Sequence, residues 1–128
     1  MSGIVFLDLE DLLASAEAFL GQRPEVRDWG LLESAIARPQ ASVFGQDAYP
    51  TLHLKAAALL ASLVGNHALI DGNKRLGFVG MLLFYGYNGY RMSATDDEKY
   101  DLVMAVADGS LTDVAEIAAR LEPFIEPR

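Results

Sequence analysis

The polar side chains best suited to catalysis lie together in residues 67–75. An imidazole titrates near neutral pH, so His67 could act as a general base. Asp71 offers a carboxylate, the hard oxygen ligand that Mg²⁺ prefers when it also binds substrate phosphates. Each residue alone is unremarkable, because a histidine at a helix end is commonly a hydrogen-bonded core residue and Asp-Gly is a common turn. Their combination between two apolar segments favours an active site.

The residues that follow this aspartate predict an anion site. Gly72 permits a sharp turn and a close approach of the backbone to a ligand, and Asn73, Lys74 and Arg75 then open a helix. The free N–H groups and the positive dipole end of a helix bind anions, and two cations strengthen that site. Cations at a helix start are unfavourable without an anion. We therefore expect phosphate groups to bind here.

The charge distribution favours a small anionic ligand over a nucleic acid. The 128-residue chain has a net charge of −8 and a pI near 4.5, whereas nucleic-acid binding usually needs a basic footprint. Residues 51–90 nevertheless carry three cations and a single acid, a local net charge of +2. A positive site in an acidic protein favours a small anion, although chance clustering explains this count equally well. We expect no direct nucleic-acid binding.

Length and composition predict one domain over residues 1–128. Hydrophobic residues make up 52% of the chain, enough for a single core. The absence of cysteine excludes disulfides and thiolate metal sites. The first ten residues lack the pattern of a signal peptide, and glycines interrupt the longest uncharged stretch, residues 76–90, which is too short for a membrane span. We expect a cytoplasmic protein without membrane association.

Apolar residues recur at spacings of three and four, which predicts helices. The segments that flank the polar loop are the most apolar: residues 56–64 contain only Ser62 as a polar residue, and residues 76–87 contain no charge. Helices of this composition are buried on nearly every side. The predicted fold class is therefore all-α, a compact bundle of about six helices with the polar loop between two central buried helices.

Capping and turn residues delimit the other elements. Asp8 is a plausible N-cap and Gly21 a terminator for a first helix with Phe19 on its apolar face. Thr95 and Glu98 have capping-box spacing. A second helix should stop before Pro39, a loop or hairpin should follow over residues 41–50, and Thr51 should cap the next helix. Further along, we expect a turn at Asn88-Gly89 and an extended segment over residues 90–92. The last helix should start at about Thr112 and have Ile125 on its apolar face.

Other residues with chemical potential are better explained by structure. His53 has no acidic or nucleophilic neighbour in the sequence, so we interpret it as structural or surface-exposed. Met81, Phe84, Tyr85 and Tyr87 are more typical of a core than of a cofactor site. The phosphate-binding Gly-x-x-x-x-Gly-Lys-Ser/Thr motif, the dinucleotide-binding Gly-x-Gly-x-x-Gly motif and the zinc-binding His-Glu-x-x-His motif are all absent.

The string His67-x-x-x-Asp71-Gly72-Asn73-Lys74-Arg75 resembles the signature of the Fic/Doc superfamily, and specifically its Doc branch, the death-on-curing toxins. The similarity extends over nearly the whole chain. It includes Gly30-Leu31-Leu32-Glu33-Ser34-Ala35, Ala37-Arg38-Pro39-Gln40, Phe44-Gly45-Gln46-Asp47, Tyr49-Pro50-Thr51-Leu52 and Asn88-Gly89-Tyr90. The resemblance implies an all-α Fic fold with the motif loop between two central helices.

The same resemblance implies an ATP-dependent transferase of a toxin–antitoxin system. Doc toxins resemble the Fic enzymes that transfer AMP, but they have a lysine, here Lys74, in place of a second glycine, and they bind ATP in the reversed sense to transfer its γ-phosphate. The implied target is a threonine of elongation factor Tu, whose modification stops translation. By this resemblance His67 deprotonates the target hydroxyl, Asp71 holds Mg²⁺, and Asn73, Lys74 and Arg75 hold the phosphates.

Several positions depart from the family pattern. Leu69 replaces the usual Phe, Ala68 replaces a frequent Pro, and Leu76-Gly77 stands where Thr-Ala is typical. Leu69 is still apolar, so the loop should stay anchored. The self-inhibitory Ser/Thr-x-x-x-Glu-Gly/Asn motif of many Fic proteins is missing, which implies inhibition by a separate, Phd-like antitoxin.

Two alternatives remain open on the sequence. The site could transfer AMP to a protein, as Fic enzymes do, or the chain could be a catalytically silent Doc-like module that binds nucleotide or antitoxin. The presence of both His67 and Asp71 favours an enzyme. The residues by themselves are compatible with phosphoryl and with nucleotidyl transfer.

Overall fold

The computed structural model describes residues 3–128; Met1 and Ser2, which begin the N-terminal segment considered above, lie outside the described residues. Helices dominate this part of the chain, as the all-α prediction of about six helices required. The α-helices are α1 (Leu9–Leu20), α2 (Trp29–Ala37), α3 (Leu52–Gly65), α4 (Asn73–Tyr87), α5 (Asp96–Ala107) and α6 (Val114–Leu121). Short 3₁₀ turns follow α2 (Arg38–Gln40) and α6 (Glu122–Phe124).

Two small antiparallel pairs complete the fold. The expected hairpin before α3 is formed by β1 (Ser42–Val43) and β2 (Gln46–Asp47). The expected extended segment after α4 is β3 (Tyr90–Met92), which pairs with β4 (Ile125–Pro127) near the C-terminus. No helix within residues 3–128 is long and apolar enough to cross a membrane.

Side-chain caps begin the helices where the sequence predicted them. Asp8 and Thr51 each accept a hydrogen bond from the backbone N–H three residues further on, at 2.8 and 3.1 Å. Thr95 and Glu98 form the reciprocal capping box, and Gly21 ends α1 in the left-handed conformation with φ of 83°. Each cap satisfies backbone groups that a helix end leaves unpaired, a contribution of about 1 kcal/mol.

α3 and α4 are the central pair and hold the polar loop between them. Nine of the fourteen residues of α3 are buried, and Ala61 is the one residue of 56–64 that is not, so the expectation of burial on nearly every side is confirmed for this segment. The two helices approach closely where glycines of α4 face α3. A Cβ at Gly77 would lie 2.6 Å from Val64 Cγ2, and a Cβ at Gly80 would lie 2.6 Å from Leu63 Cδ1. A side chain at either position would require Val64 or Leu63 to move.

We expect Gly77→Ala to lower the free energy of unfolding by about 1–3 kcal/mol, because the added methyl group overpacks the contact with Val64. Gly86→Ala is the matched control in the same helix, since its nearest neighbour, Arg128 Nη1, is 3.9 Å away. That variant should gain up to about 1 kcal/mol from helix propensity. Urea denaturation measures the free energy of unfolding of both variants. Equal stability of the two variants would contradict the close packing of α3 and α4.

The last helix is shorter than the sequence predicted. It spans Val114–Leu121 instead of starting at about Thr112, because Asp113 is its N-cap. The α-helix then gives way to a 3₁₀ turn that contains Pro123, whose backbone has no N–H to continue an α-helical ladder. Ile125, expected on the face of this helix, lies in β4.

Two aromatic residues expected on core faces lie at the surface. Phe19 is 60% exposed and Tyr87 is 38% exposed, whereas Met81, Phe84 and Tyr85 are buried as predicted. Phe19 and Tyr87 both border a groove between α1 and α4 with a volume of about 680 Å³. Helical periodicity predicted that Phe19 and Tyr87 lie near the interface of α1 and α4. The packing shows that the buried part of this interface does not extend as far as these two residues.

Candidate active site at the α3–α4 loop

The loop between α3 and α4 begins with an unusual backbone conformation. Asn66 ends α3 with a 2.9 Å hydrogen bond from its N–H to Ser62 O, and His67 follows with φ of 53°. Glycine normally takes this left-handed conformation after a helix, because it costs a residue with a side chain about 1–2 kcal/mol. A histidine at this position therefore carries a backbone strain that a glycine would avoid.

The side chain of His67 is exposed, and the described residues offer its imidazole no hydrogen-bond partner. In the sequence His67 continues the apolar face of α3 that ends at Val64, which predicts a position at the core-facing end of the helix; because the imidazole lies at the surface, this prediction is wrong. The reason is the turn at His67 itself, because the left-handed residue redirects the chain after α3 has ended. The imidazole is thus accessible to an incoming group.

Leu69 and Asn73 hold the middle of the loop in place. Ala68 and Leu69 are 3% and 1% exposed, so the expected apolar anchor is confirmed. The Asn73 side chain accepts a hydrogen bond from Leu69 N–H at 2.9 Å and donates one to Leu69 O at 3.1 Å. Because the oxygen and one N–H of this amide are engaged, Asn73 can offer a phosphate its backbone N–H and the second N–H of its side chain.

The segment before α2 forms the other wall of the loop, a contact that no pattern in the sequence indicated. The N–H groups of Arg27 and Asp28 donate to Ala68 O at 2.8 and 3.0 Å, and the Arg27 guanidinium donates to the His67 carbonyl. Asp28 could have been identified as the N-cap of α2. No spacing rule relates Arg27 to a loop 40 residues away.

The N-terminus of α4 is an open anion site. Its N-cap, Gly72, has φ of 91° and makes no side-chain capping bond. Within the described chain, the N–H groups of residues 73–75 have no acceptor. Lys74 and Arg75 are exposed and form none of the ion pairs found in residues 3–128. Unpaired cations at the positive end of a helix favour a bound anion.

Asp71 lies exposed at the start of this helix. Its Oδ1 accepts the Gly72 N–H at 2.9 Å, which leaves Oδ2 free to bind a cation. No group of three or more His, Cys, Asp or Glu side chains in residues 3–128 could hold a metal by itself. A single carboxylate beside an anion site nevertheless fits Mg²⁺, which is commonly bound by one or two carboxylates together with substrate phosphates.

Two surface cavities adjoin the loop, and Arg75 borders both. The larger has a volume of about 540 Å³. Its wall combines apolar and aromatic side chains of α1, α4 and α5, among them Phe19, Phe78 and Tyr100, with the charged side chains of Lys74, Arg75, Asp96 and Lys99. The smaller, of about 140 Å³, lies between Asp71 and the residues that follow α1. A ligand whose phosphates bind at residues 73–75 thus has room on either side.

A family model described as the Fic/DOC family matches residues 6–85, which include the whole loop. The chain belongs to the Fic/DOC family. Its sequence is 47% identical to "Toxin Doc" of Mycolicibacterium smegmatis over 121 residues, 93% of this chain and 92% of that protein. It is 32% identical to "Protein kinase doc" of Escherichia phage P1 over 117 residues, 88% of this chain and 91% of that protein. These relatives place it in the Doc branch.

The departure of this Doc-branch chain from the family pattern at Gly77 has a packing reason. Gly77 lies directly against Val64 of α3, where a Cβ would be only 2.6 Å from the valine methyl group. The alanine typical of the family would not fit unless Val64 moved. The departure therefore concerns the contact between the central helices and not the anion site.

Lys55 does not contribute to the positive charge of the Fic/Doc loop. It is 2% exposed, its ammonium lies 3.1 Å from Asp47 Oδ2, and it also donates to Tyr49 O. These bonds attach α3 to the β1–β2 hairpin. Of the three cations counted in residues 51–90, only Lys74 and Arg75 therefore face the site.

His53 is structural, as the sequence predicted for this family member. Its Nδ1 lies 2.8 Å from the Tyr85 hydroxyl in the half-buried contact between α3 and α4. Burial, and to a lesser extent the charge of Glu122, raises the pKa of Tyr85 well above its usual range. The hydroxyl therefore stays protonated and shares a hydrogen bond with the His53 imidazole. This pair joins the central helices and takes no part in the loop.

Proposed function

We propose that this chain is a toxin of the Doc type that transfers the γ-phosphate of ATP to a hydroxyl group of a protein. The relatives support this proposal by their names, one a toxin and one a protein kinase. The loop supports it by combining a base, a carboxylate and an anion site. The target we propose, from the family resemblance, is a threonine of elongation factor Tu, whose phosphorylation would block translation.

The observation that carries an enzymatic function is the conformation of His67. A histidine occupies the left-handed position after α3 where glycine would be more stable, and its imidazole is exposed in the loop that leads to the open end of α4. Strain of this kind persists where a side chain is required for function. A module that only bound nucleotide would gain stability from glycine at this position.

In the proposed reaction, an imidazole nitrogen of His67 takes the proton from the target hydroxyl. The hydroxyl oxygen then attacks the γ-phosphorus, and the bond from that phosphorus to the oxygen it shares with the β-phosphate breaks. The bonding electron pair leaves with ADP, so the products are a phosphorylated protein and ADP. Phosphoryl transfer depends mainly on positioning and charge neutralisation, which the N–H groups of residues 73–75 provide together with the two cations.

The surroundings of the loop could accommodate both ATP, the phosphate donor, and Mg²⁺. Asp71 would hold Mg²⁺ through its free oxygen, and the metal would neutralise phosphate charge. The cavity of about 540 Å³ beside Lys74 has the size of ligand pockets in general. Phe78 and Tyr100 in its wall offer aromatic surfaces for a purine.

Lys74 is the residue that favours phosphoryl transfer over AMP transfer. A glycine here would leave bare backbone N–H groups, against which an inner phosphate could lie. Lys74 instead adds a point charge on a long side chain, and it stands next to Arg75 with no acidic partner in the described chain. The most highly charged part of ATP, its γ-phosphate, gains most from such a pair.

We also propose that a separate, Phd-like antitoxin inhibits this chain. The groove between α1 and α4 is largely apolar, with Leu82, Leu83 and Tyr87 in its wall, and it meets the cavity beside Lys74 at Phe19. An amphipathic segment with acidic residues would cover the apolar side chains and neutralise the cations at the site.

The proposal predicts a phosphate adduct and no AMP adduct on the target. The wild-type protein, ATP and Mg²⁺ are incubated with purified elongation factor Tu, and intact-mass spectrometry identifies the adduct. Lys74→Gly should lower phosphorylation by about tenfold or more, since a charge-assisted contact to phosphate contributes about 1.5–3 kcal/mol. Lys74→Ala is the matched control, because it removes the charge without adding backbone freedom.

The possible adducts separate the alternatives. An AMP adduct formed by the wild-type protein would overturn the kinase assignment and leave a Fic-like transferase. The absence of any adduct on elongation factor Tu, together with a phosphate adduct on another protein of a bacterial lysate, would overturn the target alone. The absence of every adduct would favour the silent binding module.

A further inference from the structure

We propose that Arg27 is a positioning residue for His67, an inference that rests on the proposed role of His67 as the base. The guanidinium of Arg27 donates a hydrogen bond to the His67 carbonyl oxygen. Within residues 3–128 this is the only hydrogen bond made to His67. Arg27 lies outside the motif, and no pattern in the sequence identified it as a functional residue.

The backbone holds Arg27 in the correct place for this contact. Its own N–H donates to Ala68 O at 2.8 Å, so one residue contacts the carbonyl groups of two successive loop residues. A β-bridge between Val26 and Leu69 continues the pairing. The Arg27 side chain therefore starts from a fixed point beside the loop and has little backbone freedom to lose when it binds His67.

This contact fixes the direction of the His67 side chain. Asn66, the residue before His67, keeps helical torsions at the end of α3 (φ −77°, ψ −16°), and these set the peptide plane that joins it to His67. Its N–H donates to Ser62 O and its side-chain amide donates to Leu31 O. The peptide plane after His67 contains the carbonyl that Arg27 binds. When both planes are fixed, φ and ψ of His67 are fixed, and with them the direction of its Cα–Cβ bond. Only the side-chain torsions of the exposed imidazole then remain free.

The rest of the loop does not depend on the side chain of Arg27. Leu69 is held by the Asn73 amide, and the Ile70 N–H donates to Glu25 O at 3.0 Å through the backbone. Loss of the Arg27 side chain should therefore leave the fold and the anion site intact while the strained backbone at His67 relaxes. A misplacement of about 1 Å of a catalytic group can cost about 100-fold in rate.

The test compares Arg27→Ala with Arg27→Lys and with the control Arg23→Ala, whose arginine is exposed and pairs with Glu10. We expect Arg27→Ala to lower kcat about 10–100-fold while KM for ATP changes less than about threefold. Arg27→Lys should recover part of kcat, since an ammonium can donate one of the lost bonds. Arg23→Ala should match the wild type. Wild-type kcat in Arg27→Ala, or a raised KM with unchanged kcat, would overturn the proposal.

A second measurement does not depend on activity, so it separates this inference from the proposed function. The Ala68 amide lies in the peptide plane that contains the His67 carbonyl. In Arg27→Ala its NMR signal should shift or broaden, whereas the Ile70 amide should keep its protection from hydrogen exchange, because its bond to Glu25 O is retained. An unchanged Ala68 signal, or loss of Ile70 protection, would overturn the positioning role.

Discussion

Replacement of His67 by alanine is expected to lower the rate of phosphate transfer by about 10²–10⁴-fold, the usual contribution of a general base. The exposed imidazole is the group in this loop that can take a proton from a hydroxyl, and the loop leads directly into the open end of α4. Single-turnover transfer of γ-labelled phosphate to elongation factor Tu measures the effect. ATP binding should stay close to that of the wild type, because the phosphates are bound by residues 73–75.

His67→Gly is the matched variant that separates catalysis from folding. Glycine adopts the left-handed conformation at φ of 53° without strain, so this variant should exceed His67→Ala in unfolding free energy by about 0.5–1 kcal/mol. Both variants should be equally inactive. If either variant transferred phosphate at the wild-type rate, His67 would not be the base, whatever the stability of that variant.

The second large effect is expected at Asp71. Asp71→Asn retains an oxygen that can accept the Gly72 N–H but removes the charge of the free oxygen. Because a metal that stabilises phosphoryl transfer contributes several kcal/mol, the loss should lower Mg²⁺-dependent transfer about 10²–10³-fold. Transfer is measured over a series of Mg²⁺ concentrations, and excess Mg²⁺ should restore part of the activity.

ATP binding with and without Mg²⁺ is the control for this role. Asp71→Asn should weaken binding of the Mg²⁺–ATP complex but not of metal-free ATP, since Asp71 would contact the metal and not the phosphates. An equal loss of affinity under both conditions would contradict a metal role. Glu25→Gln is a useful comparison, because Glu25 borders the same small cavity and has no assigned part in metal binding.

The sequence by itself determined the helical elements and the composition of the site. Asp8, Thr51 and Thr95 marked helix starts because a capping side chain acts on backbone groups only a few residues away. The motif could also be recognised from the sequence, because its residues are close together along the chain. Its residues form one continuous loop and the first turn of α4, so their spacing along the chain is also their spacing in the site.

The sequence could not indicate which side chains are available to a ligand. Lys55 contributed to the local positive charge as strongly as Lys74 did, yet it is buried against the β1–β2 hairpin and paired with Asp47. The oxygen and one N–H of the Asn73 amide are engaged by Leu69. Availability depends on which groups from other elements lie alongside, and periodicity within one helix carries no information about that.

The tertiary structure alone decided how His67 is presented. Its left-handed backbone arises where α3 ends, and its carbonyl is bound by Arg27 from a segment 40 residues earlier in the chain. Local propensity favours glycine at such a position, so the sequence of the loop would not by itself fix a strained histidine. The residues that can do the chemistry are local, whereas the strain and the orientation that make them usable are maintained by contacts between distant parts of the chain.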